Sequence, residues 1–423
     1  MERLLFVAIF ATFVNAQSLK SLIDYATTHN TAINKAKLDS KISKWRLKAA
    51  SAQKRGELNI VGSATHYNTP RTLAPVLPGS KAPVYTTRNI YSLGLNYSVK
   101  LFTGFSQTSD VELGSIASKM SSAKLNLTKF QIAYNVKVLY YNALSIKELL
   151  KAQKSYANAL KREYLTIKKE VKYGKRALID ELKAKASWQD ALVGVESLKA
   201  NLEISKANLS SIVGKDVTKI DAINVKVKRP KVSVKRLYAY ANSLQKVAIE
   251  NLKIEKSNKE IKKAKATKYP FVSLNAYAGK NYGNDRVSDK WKSEDVAQVS
   301  INVQYNLYDG GKRDSNIEVA KLNKLKSSLD RVQTMRDLKK QITTGVAKLK
   351  LSYSKYRGAI SQYRLAKKAL EIEKELYKSG RSTINDLLLA NAKSFIARAK
   401  VIEAKYEYAN AKSFIDYIME GRR

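Results

Sequence analysis

Two segments hold most of the residues in this chain whose types and spacing could do directed chemistry. They are "KYGKRALIDEL" at 172–182 and "KSGRSTINDLL" at 378–388. In each, a glycine precedes an aspartate by the same interval: Gly174 and Asp180, then Gly380 and Asp386. A glycine followed by Lys175 or Arg381 suits the end of a helix, where a left-handed residue and a cation are both favoured. An aspartate just beyond suits the first turn of the next helix, as an N-cap or a dipole partner. Catalysis needs more than this. His29 and His66 are the only histidines, there is no Cys, and Met occurs four times. Disulfides and thiolate metal sites are therefore excluded, and a soft-metal site has almost no ligands. No nucleophile–base pair, metal cluster or phosphate loop is present in the sequence, so no enzyme activity, cofactor or bound metal is expected.

The elements that position these turns come in two copies. Residues 172–182 align with 378–388 at an offset of 206 (378 − 172 = 206), and "LFTGF" at 101–105 falls on "LYDGG" at 307–311 at the same offset. Upstream the offset becomes about 214, pairing "GELNI" at 56–60 with "PFVSL" at 270–274; the Pro-rich stretch "NTPRTLAPVLPGSKAP" makes one loop longer in the first copy. The chain therefore reads as a tandem duplication, 17–214 and 233–420, joined by a linker at 215–232. Each copy predicts a helix (19–54, then 233–268), two strands (57–67 and 89–101, then 271–282 and 295–308), a very long helix (105–173, then 311–379) and a closing helix (176–213, then 382–418).

The strands alternate. Tyr91, Leu93, Leu95, Tyr97, Val99 and Leu101 share one face; Ser92, Gly94, Asn96, Ser98 and Lys100 share the other. Val299, Ile301, Val303, Tyr305 and Leu307 repeat the pattern against Gln298, Ser300, Asn302, Gln304 and Asn306. One face suits lipid and the other water. Four strands cannot close a barrel, and open edges are not tolerated in lipid. Two chains would give eight strands and three would give twelve; a barrel of about eight is filled by its own side chains, whereas a wider one can leave a lumen. Leu322, Leu325, Leu329, Val332, Met335, Leu338, Ile342, Val346, Leu349 and Tyr353 follow coiled-coil steps of three and four. A helix of about 70 residues is roughly 100 Å long, several times a bilayer.

"LFTGF" and "LYDGG" then mark a seam where a barrel strand becomes a long helix. Gly104, Gly310 and Gly311 relieve the turn, and Asp309 is a natural N-cap. At the N-terminus, "MERLLFVAIFATFVNAQS" carries an apolar run from Leu4 to Val14 with small residues before a cut after Ala16, which predicts a signal peptide over 1–16. No Cys follows the cut to carry a lipid anchor. The net charge of +42 is spread as Lys along every helical segment, which fits solvated helix faces and not a nucleic-acid footprint.

Duplicated order, junction motifs and turn motifs together resemble the TolC family of outer-membrane channels, over about 18–420. The resemblance implies a mainly α fold with a transmembrane β-barrel: a homotrimer with a twelve-stranded barrel in outer-membrane lipid and a helical periplasmic tube. Such channels are exit ducts of tripartite efflux pumps and type I secretion systems, and work with a periplasmic adaptor protein and an inner-membrane transporter. By the same resemblance, the turns at Gly174, Lys175, Gly380 and Arg381 are where an adaptor grips, and Asp386 forms one charged ring at an aperture. The second ring is missing, because Leu389 stands in its place. Tyr377 and Asp180 match a closing hydrogen bond of the family; the positions of a second, arginine-based link hold Ser382 and Ile179, with Arg381 one residue earlier. The other reading open to this sequence is a periplasmic coiled-coil structural or interaction protein without transport activity. The transported substrate is not legible.

Overall fold

The computed structural model describes residues 18–77, 79 and 81–422, so the predicted signal peptide lies outside the described residues. The chain divides into two compact units. One comprises Lys124–Val247 and Thr334–Arg423 with the chain up to Lys37; the other comprises Leu38–Ala123 and Ala248–Gln333.

The second unit carries the sheet. β1 (Glu57–Thr72), β2 (Thr86–Phe102), β3 (Phe271–Asn284) and β4 (Trp291–Gln304) form one antiparallel sheet in the order β1-β2-β3-β4. The alternation sets its two faces. Pairings Leu58↔Tyr97, Ile60↔Leu95, Leu95↔Ala278 and Leu274↔Ile301 keep the apolar residues together. That face is left uncovered: Ile60, Leu95, Val299 and Ile301 are all exposed. Asn59↔Asn96, Ser98↔Asn275 and Ser273↔Asn302 line the other face. Aromatic groups stand at both ends of the strands. Tyr91 meets Trp291 at 5.5 Å, and Phe102, Phe105 and Tyr269 meet edge to face at 5.6–6.4 Å.

Three strands run longer than the alternation predicts, β1 and β2 because their ladder resumes at Arg71↔Thr87 beyond a bulge. The expected strand at 295–308 needs a larger correction. β4 begins at Trp291 and ends at Gln304, whose partner is Phe271. Pro270 precedes Phe271 and has no N–H to extend the ladder, so Leu307 and Tyr308 leave the sheet and stand more than four-fifths exposed.

The long helices are α3 (Ser106–Lys172) and α7 (Lys312–Lys378), which run through both units; the closing helices are α4 (Leu178–Val213) and α8 (Ile384–Ile418). The two opening helices are each broken. Residues 19–54 divide at Asn30 into α1 (Leu19–His29) and α2 (Thr31–Ala52), followed by a short 3-10 turn. Asn30 caps α2 by accepting from Ala32 N (2.8 Å), and its amide donates to Ile212 O at the end of α4 (2.7 Å). Residues 233–268 divide into α5 (Val234–Ala239) and α6 (Gln245–Lys265), each followed by a 3-10 turn. The break seats a fully buried Leu244, and the Glu420 carboxylate accepts from Gln245 N (2.8 Å) to cap α6.

The first unit holds the main cores. Leu22, Ile33, Val136, Tyr140, Leu144, Leu209 and Tyr406 form one, and Leu244, Leu338, Ile342, Val346, Leu349 and Met419 another. Leu338, Ile342, Val346 and Leu349 of the α7 apolar stripe are thus buried as the coiled-coil spacing predicts. Leu322, Leu325 and Leu329 of the same stripe, with Val319 one step before them, belong to the second unit and are exposed.

Candidate functional site

The turn after α3 closes with a Schellman pair. Lys175 N donates to Glu170 O (2.8 Å) and Gly174 N to Val171 O (2.9 Å), with Gly174 at φ 70°. The turn after α7 repeats it: Arg381 N donates to Leu376 O (2.9 Å) and Gly380 N to Tyr377 O (3.1 Å), with Gly380 at φ 76°. Gly174, Lys175, Gly380 and Arg381 are all exposed. Around them Tyr173, Leu178, Ile179, Leu182 and Leu389 present apolar side chains to solvent.

The two turns lead into different helix starts. α8 opens with a capping box: Thr383 Oγ1 accepts from Asp386 N, and the Asp386 carboxylate accepts from Thr383 N and Oγ1. Ala177 stands at the same place before α4 and has no side chain to offer, so Asp180 is a first-turn acid without a capping box. Asp386 is therefore held by its own helix, and Asp180 is not.

Tyr377 packs into a core with Tyr164, Ile167, Ala184, Ile384 and Leu387. Its Oη is buried and makes no hydrogen bond, so the expected bond to Asp180 is not formed. The charged neighbour of this tyrosine is Arg176. Its guanidinium lies 4.3 Å from the Tyr377 ring centroid, its Nη2 donates to Tyr377 O (2.9 Å) and its Nε to Glu170 Oε2 (3.2 Å). Arg176 thus ties the first turn to the carbonyl end of α7, where a cation is favoured. Burial pushes the Tyr377 phenol above its usual range; Arg176 opposes that shift and the nearby Asp180 adds to it. A hollow of about 250 Å³ opens beside this cluster, lined in part by Glu163, Glu170, Lys374 and Tyr377. Arg381, one residue before the position of the family's arginine link, makes no side-chain bond among the described residues. Ser382, where that arginine was expected, donates to Glu373. Arg176 falls on Ser382 at the repeat offset (382 − 176 = 206), so the arginine sits in the other copy. Comparing the two turns residue by residue could have found it.

The sheet-to-helix junctions are also matched. Gly104 and Phe105 are both left-handed (φ 59° and 71°), as are Gly310 and Gly311 (φ 64° and 83°). Two successive left-handed residues turn a strand end into a helix start, and glycine takes that conformation at least cost. Asp309 accepts from Arg313 N (3.1 Å) and pairs with its guanidinium (2.9 Å), although Gly311 is the residue that directly precedes α7. Thr103 does the same for α3, accepting from Gln107 N at 3.2 Å. Thr103 and Asp309 are equivalent (309 − 103 = 206), and a threonine on an aspartate at a helix start is a capping signal that the repeat alignment carries. Among the described residues there is no cluster of metal-ligating side chains.

The sequence model of the family described as Outer membrane efflux protein matches residues 22–215 and 240–415. The chain is similar to the outer membrane protein TolC of Vibrio cholerae serotype O1, at 22% identity over 333 residues, 76% of this chain and 74% of that one. Among solved structures, CusC superposes with a TM-score of 0.81 at 15% identity, covering 95% of this chain and 91% of CusC. The Campylobacter jejuni CmeC outer membrane channel gives 0.79 at 18% identity, covering 95% and 85%.

Proposed function

Because the chain belongs to the outer membrane efflux protein family, we propose that three copies of it build one gated channel. It is an outer-membrane protein with a periplasmic extension, and an exit duct of efflux systems. The observation that carries the trimer is the four-stranded sheet with an exposed apolar face and two end strands, β1 and β4, each paired on one side. In lipid both free edges must be satisfied, which β1 of one copy and β4 of the next would do. Three copies give twelve strands and room for a lumen. The exposed stripe Val319, Leu322, Leu325 and Leu329 on α7 gives neighbouring copies an apolar seam.

The turns close the duct at its periplasmic end, and Arg176 is the latch between them. Gly174, Lys175, Gly380 and Arg381, with the exposed apolar residues beside them, form the surface that a periplasmic adaptor grips, coupling the duct to an inner-membrane transporter. Service in type I secretion belongs to the same proposal. Detergent-extracted protein added to planar bilayers tests it: discrete conductance steps are expected, and a protein that leaves the outer-membrane fraction without detergent and forms no pore contradicts it.

A further inference from the structure

Between the two repeats the chain crosses the first unit as an extended strap. Residues 221–233 have no regular secondary structure, yet the strap is anchored along its length. Tyr140 Oη donates to Asp221 O and Tyr408 Oη to Lys228 O, both at 2.8 Å. Ile223 and Val225 pack on one core, and Val227, Val232 and Val234 on the next. Apolar residues at alternating positions face inward, so the residues between them face out. Those are Lys226 and Lys228, continued by Arg229 and Lys231, all exposed.

The strap also borders two hollows. One of about 690 Å³ is lined by Arg229, Lys231, Lys350 and Arg357 with Tyr353, Ser233 and Ser354. The other, of about 250 Å³, adds Arg236 and Lys412. No acidic side chain lines either hollow, and none of these six cations is ion-paired among the described residues. Elsewhere in this unit lysines find partners, as Lys355 does with Glu407 and Lys374 with Glu163. An uncompensated cluster of like charge raises the energy of the folded chain unless an anion relieves it.

We propose that this strap binds the carboxylate-bearing peptidoglycan of the cell wall, gripping the channel where it passes through the periplasm. The proposal rests on the assignment of the chain to the outer membrane. Outward residues of an extended chain recur about every 6.6 Å, so Lys226 and Lys228 begin a row that Arg229 and Lys231 continue beside the hollows, which suits a polymer with repeated carboxylates. An anionic glycan-peptide lies beside any outer-membrane protein with a periplasmic extension.

The test is co-sedimentation of the detergent-solubilised full chain with isolated sacculi. Parent protein should pellet at low salt and be released by about 0.3 M salt, where the screening length is only a few ångströms. The triple variant Lys226→Gln/Lys228→Gln/Lys231→Gln should bind about tenfold more weakly, as loss of three polyanion contacts implies. A control removing equal charge from exposed positions of α2, Lys35→Gln/Lys41→Gln/Lys44→Gln, should bind like the parent. Sacculi whose carboxylates have been converted to amides should retain neither. Equal loss in the two triple variants would make the binding a matter of net charge and overturn the proposal. So would binding to an acidic soluble protein with none to sacculi. Bilayer conductance of the strap variant should equal that of the parent. A parent that conducts but ignores sacculi sinks this inference alone, whereas a parent that forms no pore removes its premise.

Discussion

Gly104 and Gly310 fall at equivalent places in the two repeats but are required for different reasons. A Cβ on Gly104 would lie 2.3 Å from Ala266 O and 2.9 Å from Tyr269 Cβ, whereas one on Gly310 would meet nothing within 4 Å. Gly310→Ala should therefore cost only the left-handed penalty of ~1–2 kcal/mol. Gly104→Ala adds a backbone collision, and should cost about 1–3 kcal/mol more. Chemical unfolding of both variants checks the order; equal losses would show that conformation alone fixes both glycines. At the turns, the Tyr377 hydroxyl is buried without a partner, and removing such a group is neutral or stabilising by up to ~1–3 kcal/mol. Tyr377→Phe keeps the ring under Arg176 and should leave single-channel conductance unchanged. Arg176→Gln loses the cation over that ring and the charge-assisted bond to Tyr377 O, together about 2 kcal/mol. It should raise conductance, with the oligomer intact. A rise in Tyr377→Phe alone would restore the phenol as the latch.

At the scale of elements, the alternation decides which strand face meets lipid. Leu95→Arg or Ile301→Arg should destabilise by ~2–4 kcal/mol near the bilayer midplane, while arginine at Asn96 or Asn302 should be tolerated. Unfolding measured in lipid vesicles separates the pairs, and equal tolerance would mean that the faces are reversed. This register was legible because period-two patterning acts locally, residue by residue. The junctions were legible for a similar reason, since glycine supplies the left-handed pair at three of its four positions, Gly104, Gly310 and Gly311. The helix break at Asn30 was not, because its amide answers a carbonyl 182 residues away, at Ile212. Arg176 escaped for the same cause: its acceptor, Tyr377 O, is 201 residues distant. The end of β4 was misplaced because apolar Leu307 continues the alternation after the ladder has stopped at Gln304.

For the whole molecule, the sheet's two end strands and the exposed apolar face cannot persist in lipid as a single chain. Closure by three copies links the sheet to the α7 stripe, since both leave apolar or hydrogen-bonding surface for a neighbour. The charge of +42 per chain does not oppose this, because screening confines each exposed lysine to about 8–10 Å at ordinary salt. The most direct test is the native mass of detergent-extracted protein, read beside its circular dichroism. A mass of three chains with the β signal intact is expected. A stable single chain with its full β content would contradict the shared barrel, and with it the channel.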